Sequence, residues 1–312
     1  MTHTEGQKRG RSDQLIVLYA VVAPSLWATS FLAVKYAVQT IPPFTAAAFR
    51  FFLVFVIFWA LLAIFQRGAR PVSLPDLPLL VATGLFQTTF YFAFQYWGLT
   101  LTSASNGAVL ANTRPIFVAI IAMLFLHEAF RWRKSAGIGL AFIGVMFITG
   151  WGSLFGSSAT PEQLTGDVLF LLNAVSGAIG LVLTKQVVGK FGPLPSLAYT
   201  NTFGFLGLLL LASWELRQGA SVSFTPAVPW MALVYQAVFT SVFAHFLWNT
   251  VLAKKDASWA AVFLYITPVV TVLLSWLFLG EPLTWGLAIG ATLVLLGTHL
   301  VTQGPRDTAK LT

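Results

Sequence analysis

The residue with the clearest chemical potential in this sequence is Arg114, a cation about midway along an apolar stretch and directly before Pro115. Exposing a cation to hydrocarbon costs at least roughly 2.5–3.5 kcal/mol, so it normally faces a protein interior or a wet cavity. Its planar fork suits a carboxylate. We therefore interpret Arg114 either as an anchor for an anionic or zwitterionic solute or as a structural group. In the second case it binds backbone carbonyls loosened by the proline, or it reaches the membrane rim.

A second candidate feature is a polar stripe formed by Gln87, Tyr91 and Gln95, which are four residues apart in another apolar stretch. Residues at that spacing share one face of a helix. Amide and phenol groups on one face suit a cavity that hydrogen-bonds to and stacks on a small organic molecule. The alternative is a set of polar contacts between neighbouring membrane helices, where small residues allow close packing.

Five residues elsewhere in the apolar stretches are further candidates for lining this cavity: Asn112, Tyr265, Trp27, Trp248 and His245. Asn112 and Tyr265 occupy equivalent positions of an internal repeat, and the two tryptophans are candidate walls. His245 has two interpretations. It is either a neutral side chain bonded to a neighbouring helix or a group that binds and releases protons, because histidine titrates near neutral pH.

Two lysines and two prolines are candidates for moving parts. Lys35 and Lys185 lie at matching places, one near the outer end and one near the inner end of its stretch. They are interpreted either as side chains that snorkel to the interface or as gates that bond a helix end or a carboxylate on the closed side. Arg50 allows the same two interpretations. Pro115 and Pro268, which match each other in the repeat, are candidate bend points.

The composition predicts that these residues lie on membrane helices. Hydrophobic residues make up 57% of the 312 residues and charged residues only 9%, whereas soluble domains carry about 25% charged residues. The apolar residues come in runs of about 20, enough to cross a hydrocarbon core of roughly 30 Å as a helix. We predict an all-α membrane protein with ten spans, at residues 15–38, 44–65, 77–99, 103–126, 132–150, 166–188, 195–214, 228–252, 257–279 and 283–302.

The chain contains an internal repeat. The stretch 112–128 reads NTRPIFVAIIAMLFLHE, and 153 positions later the stretch 265–281 reads YITPVVTVLLSWLFLGE. The same register relates Trp132 to Trp285 and continues through the following glycines. A constant offset over this length predicts that the fold is built twice. Ten spans give five per repeat, and an odd number makes the second repeat cross the membrane in the opposite sense, as an inverted repeat.

The distribution of basic residues predicts the orientation in the membrane. If the N-terminal tail is cytoplasmic, the inner loops and tails carry thirteen Lys and Arg residues, and the outer loops carry Arg217 alone. This positive-inside bias accounts for the net charge of +8 without nucleic acid, and it places both termini in the cytoplasm. We predict cytoplasmic tails at 1–14 and 304–312, a first five-helix repeat at 15–152 and a second at 153–303.

Residue types that are missing narrow the function. The sequence has no cysteine, and each of its ten Asp and Glu residues lies in a tail, a loop or a span end. We therefore expect no cofactor, no metal site and no midplane glutamate for a lipophilic cation. Motifs of membrane enzymes, such as HExxH or a Gly-rich phosphate loop, are also missing. A membrane enzyme is thus disfavoured, and so is a receptor that transports nothing, because a receptor does not need repeat symmetry.

Short motifs point to a family. Each half ends in P-(x)8-LFL-x-E followed by a short helix with glycines. Further motifs are Trp27-Ala28-Thr29-Ser30-Phe31, with Lys35 after it, Ala48-Phe49-Arg50-Phe51 and Ser103-Ala104-Ser105-Asn106. Together these features resemble the EamA family of the drug/metabolite transporter superfamily, from about residue 20 to residue 302. The match is weakest in the sixth span, where Gly177-Ala178 stands at the place of Trp27-Ala28.

The resemblance implies a transporter, and the residues above define our hypothesis. We expect an inner-membrane secondary active transporter of small organic solutes that works by alternating access around a midplane cavity. An exporter of amino acids or related metabolites is the favoured hypothesis, and an exporter of drugs or organic cations that relies on aromatic walls is the alternative. The expected partners are the solute, the lipid bilayer and, if His245 titrates, protons.

Overall fold

The computed structural model describes residues 3–66, 70–102, 107, 110–111, 113–125, 132–149, 160–267, 269–270, 273 and 285–302. Within these ranges the regular structure is helical. In chain order the helices are α1 (His3–Ala37), α2 (Pro43–Phe65), α3 (Leu74–Leu101), α4 (Arg114–Phe125), α5 (Trp132–Thr149), α6 (Pro161–Phe191), α7 (Pro193–Arg217), α8 (Ala227–Lys254), α9 (Ala257–Val262) and α10 (Trp285–Thr302).

Five of the described helices, α2, α3, α6, α7 and α8, are long and apolar enough to cross a membrane. Helices α1 and α5 contain the shorter apolar stretches Gln14–Ser30 and Ser135–Gly144. Each of the ten predicted spans contains some described helix, so the all-helical prediction is confirmed, while the number of crossings stays a prediction. Asn112 and Pro268, two of the candidate residues, lie outside the described residues.

Glycine and proline set the boundary between α6 and α7. Gly192 has a φ of 82°, in the left-handed region that glycine adopts without steric penalty, and it ends α6. Pro193 begins α7 in the first turn, where the missing N–H has no helical partner to lose. Helix α2 begins in the same way at Pro43. The two helices therefore start alike at equivalent places of the two halves.

The last helices of the two halves, α5 and α10, pack closely through glycines. A Cβ added at Gly144 would lie 2.6 Å from the carbonyl oxygen of Gly290, and one added at Gly297 would lie 2.5 Å from that of Gly137. Gly144 and Gly137 are the repeat equivalents of Gly297 and Gly290. The contact is therefore symmetric, and because the order of the glycines is reversed across it, the two helices run antiparallel.

The second helices of the two halves, α2 and α7, are antiparallel as well. Glu215, near the end of α7, accepts hydrogen bonds from the backbone N–H groups of Phe44 at 3.1 Å and Thr45 at 2.8 Å, at the start of α2. The carboxylate thereby satisfies donors that a first helical turn leaves without partners. Further along, Trp59 Nε1 donates to Thr202 Oγ1 at 2.9 Å. Antiparallel equivalents are the arrangement that the predicted inverted repeat requires.

Helices α1, α3, α6 and α8 also pack against helices of the other half. Helix α1 packs on α8, while α3, the equivalent of α8, packs on α6, the equivalent of α1. Helices α3 and α8 each contain a π-helical segment, at Leu85–Phe90 and Gln236–Phe243. Such wider turns are rare and are frequent at functional sites. Here they lie beside the residues that enclose a cavity between the two halves.

Candidate functional site

A cavity opens between the two halves, and both halves contribute to its wall. Its empty space, including the opening to solvent, is about 690 Å³. The lining side chains come from α1, α2, α3, α4 and α8 and from the segments next to α4 and α9. They are Trp27, Ser30, Arg50, Gln87, Tyr91, Phe92, Gln95, Ala111, Arg114, His245, Leu264 and Thr267.

Arg114 lies in the wall of this cavity, with 7% of its surface exposed. Its guanidinium carbon is 5.0 Å from the centre of the Tyr91 ring, a cation–π contact. Its Nε and Nη2 atoms have no hydrogen-bond partner among the described residues. The buried position rules out the membrane-rim interpretation of Arg114. What remains is a cation with open donors beside an aromatic ring.

The space that Arg114 occupies depends on Gly177 of α6. A Cβ added at Gly177 would lie 2.9 Å from Arg114 Nε and 2.7 Å from Cδ2 of Tyr91. The equivalent residue in the first half is Trp27, and the equivalent of Arg114 is Thr267. The first half therefore carries the two large side chains and the second half the two small ones, so that Arg114 meets a small partner in the other half. The weak family match at Gly177 is the feature that makes room for the arginine.

Arg50 lies inside the protein, and this position contradicts one of its two interpretations. It is 1% exposed and lines the cavity, so it does not snorkel to an interface. Its Nε donates to Ser241 Oγ at 2.9 Å, its Nη2 to Thr240 Oγ1 at 3.0 Å and its Nη1 to Gln236 Oε1 at 2.7 Å. All three acceptors belong to the π-helical segment of α8. Two longer bonds of 3.4 Å run from Nη1 to Ser30 and Tyr96.

The polar stripe of α3 lies in the wall of this cavity. Gln87, Tyr91 and Gln95 all line it. The Oε1 atoms of Gln87 and Gln95 are buried and have no hydrogen-bond partner among the described residues. Since an amide can present either its oxygen or its nitrogen, these two side chains offer adjustable hydrogen bonds to a solute.

Trp27 and His245 form one wall together. Trp27 Nε1 donates to the carbonyl oxygen of Thr240 at 2.8 Å, and the Trp27 and His245 rings are 5.0 Å apart. Nδ1 of His245 lies 3.1 Å from the Thr240 carbonyl oxygen and 2.9 Å from that of Ser241. Because a carbonyl only accepts, Nδ1 carries a proton. The histidine thus bonds its own helix, and the predicted bond to a neighbouring helix is wrong.

Two predicted lining residues stand behind the wall. Trp248 is 1% exposed and packs edge-on against Trp27, with ring centres 5.2 Å apart. Tyr265 is fully buried. Leu264, directly before it in the chain, and Thr267, two positions after it, face the cavity instead. Trp248 and Tyr265 therefore support the wall and do not line it.

The candidate gate and hinge residues have the following positions. Lys185 Nζ donates to the carbonyl oxygen of Leu252 at 2.8 Å and also to that of Lys255. It thereby holds the C-terminal end of α8, which is the helix-end bond of the gate interpretation. Lys35 lies in α1, and its side chain is outside the described residues. Pro115 is the second residue of α4.

The described carboxylates lie away from the cavity. Asp76 pairs with Lys190 and accepts from Ser73, and Asp167 accepts from Thr102. Glu215 caps α2 as stated above. Among the described residues, no group of three or more His, Cys, Asp or Glu side chains could hold a metal ion. The cavity wall is therefore built from two guanidinium groups, neutral polar groups and aromatic rings.

Apolar helices around a cavity with buried polar and charged groups define a multi-pass membrane protein of the transporter class. The sequence profile described as "EamA-like transporter family" matches residues 14–150 and 164–303, which is nearly the whole chain. The chain belongs to this family, as its motifs predicted. The two matched segments also correspond to the two halves of the internal repeat.

Proteins with similar sequences agree with the family. An "Uncharacterized transporter" of Archaeoglobus fulgidus is 32% identical over 280 residues, which cover 89% of this chain and 93% of the relative. The "Uncharacterized transporter YyaM" of Bacillus subtilis is 30% identical over 269 residues, with 86% and 87% covered. A solved structure described as "Crystal structure of protein" is similar with a TM-score of 0.74 and 22% identity, covering 92% of this chain and 96% of its own. That likeness shows the fold.

Proposed function

We propose that this protein is a secondary active transporter that exports amino acids or related carboxylate-bearing metabolites. One observation carries the proposal. Arg114 is a buried cation in the cavity wall whose Nε and Nη2 have no hydrogen-bond partner among the described residues. A guanidinium with two open donors matches the two oxygens of a carboxylate. Tyr91, Gln87 and Gln95 surround it with groups that orient the rest of a small solute.

The symmetry of the packing supports alternating access. Equivalent helices of the two halves run antiparallel. A set of helices that closes the cavity toward one face of the membrane therefore has an equivalent set that can close it toward the other face. Rocking one half against the other then exposes the same cavity to each face in turn. Pro115 and Pro268, at equivalent places of the internal repeat, are the proposed bend points. Asn112, one residue after the lining residue Ala111, is proposed to line the cavity as well.

Lys185 is proposed to act as a gate, with Lys35 as its counterpart at the other end of the bundle. Lys185 bonds the carbonyl groups at the end of α8, so it fastens α6 to α8 in this conformation. Opening on that side requires these bonds to break. We place the protein in the inner membrane. The positive-inside bias then puts both termini, and the end of the bundle that contains Lys185, on the cytoplasmic side.

Export of drugs or organic cations is the weaker alternative. The aromatic rings of Trp27, Tyr91 and Phe92 would suit such a solute. The two guanidinium groups in the same wall would repel it, and no carboxylate is among the lining residues of the described chain. The charge of the wall therefore favours a solute with a carboxylate.

The test is solute uptake into proteoliposomes. Arg114→Ala should reduce uptake of carboxylate solutes from an amino-acid and organic-acid panel by about a hundredfold, since a lost charged hydrogen-bond partner costs about 1.5–3 kcal/mol. Arg133→Ala is the matched control, because Arg133 is an exposed arginine of α5. Equal uptake by the wild type and Arg114→Ala would refute the assignment of Arg114. Efflux of cationic dyes without any carboxylate transport would favour the alternative.

A further inference from the structure

The cavity wall contains two guanidinium groups and no described carboxylate. Arg50 and Arg114 are 1% and 7% exposed, and both line the cavity. The acidic residues whose side chains the structure describes are Asp76, Glu162, Asp167, Glu215 and Asp256, and none of them lines it. Two buried positive charges thus face one space, and the described wall does not neutralise them.

Arg50 is fixed in place without losing its charge. It donates to side-chain oxygens of Ser30, Tyr96, Gln236, Thr240 and Ser241, and all of these are neutral groups. Such bonds hold the guanidinium rigid, but a neutral acceptor does not cancel its charge. Buried charges are usually paired. A rigid cation that no described carboxylate pairs therefore makes a positive potential in the cavity.

Arg114 differs from Arg50 in having open donors. Its Nε and Nη2 have no hydrogen-bond partner among the described residues, and the ring of Tyr91 covers one side of it. It is thus the group that can bind a solute directly, while Arg50 adds charge without giving up its own bonds.

We propose that the cavity selects net-anionic organic acids without an ammonium group over zwitterionic amino acids of the same shape. This inference rests on the proposed function and narrows its substrate class. A carboxylate binds Arg114 and lies in the potential of Arg50. An ammonium group on the same solute would meet two guanidinium groups, and like charges in a desolvated site repel strongly. Gln87 and Gln95 do not offset this repulsion, because they are neutral.

The apolar side chains of the wall indicate which kind of apolar group the solute carries beside its carboxylate. Trp27, Tyr91 and Phe92 line the cavity together with Leu264. These side chains favour an aromatic or branched apolar body through burial and ring contacts. The expected solute is therefore a small amphipathic acid, with its carboxylate on Arg114 and its apolar body among these rings.

The inference is tested by calorimetric binding of matched solutes to the purified full-length protein. Phenylalanine and 3-phenylpropionate differ in the ammonium group alone, as do leucine and 4-methylpentanoate, and phenethylamine keeps the ammonium but lacks the carboxylate. We expect each acid to bind at least about tenfold more tightly than its amino acid, since like-charge juxtaposition costs several kcal/mol. Phenethylamine should not bind. Arg50→Gln, which removes the fixed charge, should narrow the ratio between acid and amino acid.

Each outcome of this experiment decides a separate claim. Equal or tighter binding of the amino acids overturns the selection of anions but leaves a carboxylate transporter in place. Binding of no carboxylate solute overturns the proposed function, and this inference with it. If Arg50→Gln does not fold, as judged by gel filtration, the ratio measured on the wild type still decides. A folded Arg50→Gln protein with an unchanged ratio overturns the role of Arg50.

Discussion

The wall around Arg114 shows how two residue differences between equivalent positions create a site. The first half places Trp27 where the second half has Gly177, and the second half places Thr267 where the first has Arg114. Thr267 packs toward α1, with its Oγ1 donating to the carbonyl oxygen of Pro24 at 3.3 Å. In the equivalent contact, Arg114 packs toward α6, beside Gly177. A symmetric scaffold therefore carries an asymmetric charge.

Gly177→Ala tests this arrangement. The added methyl group would lie 2.9 Å from Arg114 Nε and 2.7 Å from Cδ2 of Tyr91, so both side chains must shift. We expect the affinity for carboxylate solutes in proteoliposome uptake to fall by about tenfold, because overpacking of this kind costs about 1–3 kcal/mol.

Gly189→Ala is the matched control for this substitution. Gly189 lies in the same helix, and a Cβ there would meet nothing within 4 Å. That variant should transport normally and melt at an equal or slightly higher temperature, since alanine favours a helix by about 1 kcal/mol over glycine. Equal uptake by Gly177→Ala and Gly189→Ala would show that Arg114 does not need the space above Gly177.

At the scale of single elements, the contact between α5 and α10 depends on glycine. Gly144→Ala would bring a methyl group to 2.6 Å from the carbonyl oxygen of Gly290, and backbone atoms do not yield easily. We expect a melting temperature several degrees lower in detergent, because overpacking costs about 1–3 kcal/mol.

The control for Gly144→Ala lies in the same helix. A Cβ at Gly139 meets nothing within 4 Å, so Gly139→Ala should melt at the wild-type temperature or slightly above it. A Gly144→Ala protein as stable as Gly139→Ala would contradict the close antiparallel contact between the two helices.

The end of α8 provides a second test at this scale. Lys185→Ala removes the donor that bonds the carbonyl groups of Leu252 and Lys255, which frees a helix end. We expect a melting temperature lower by a few degrees and a changed uptake rate, because the proposed closed side is no longer fastened. Lys254→Ala, which alters an exposed lysine of the same helix end, should change neither. Identical behaviour of the two variants would remove Lys185 from the proposed gate.

At the scale of the whole molecule, composition and repetition predicted most of the fold. The apolar runs predicted membrane helices, and the offset of 153 predicted which helices are equivalent. The stripe of Gln87, Tyr91 and Gln95 predicted a cavity face because helical spacing is a local property. The family followed from short motifs, one of which, P-(x)8-LFL-x-E, occurs in both halves.

The parts that could not be predicted depend on contacts between distant residues. Arg50 is close to the start of α2, so its position suggested an interface. Its burial results from acceptors about 190 positions later along the chain, in a π-helical segment that no simple sequence pattern marks. Trp248 and Tyr265 were expected in the wall for their type and depth. In the structure Trp248 packs against Trp27, and Tyr265 lies in the 3₁₀ turn Phe263–Tyr265; residue type alone predicts neither arrangement.

The central claim is that one cavity beside Arg114 opens to both faces of the membrane and holds a carboxylate. The chain has no cysteine, so Ala111→Cys places a single thiol in the cavity wall. We expect a membrane-impermeant thiol reagent to label it from either face of oriented vesicles. A transported acid should protect it, and this protection should be lost on adding Arg114→Ala. Labelling from one face alone, or labelling that no carboxylate solute changes, would contradict the account.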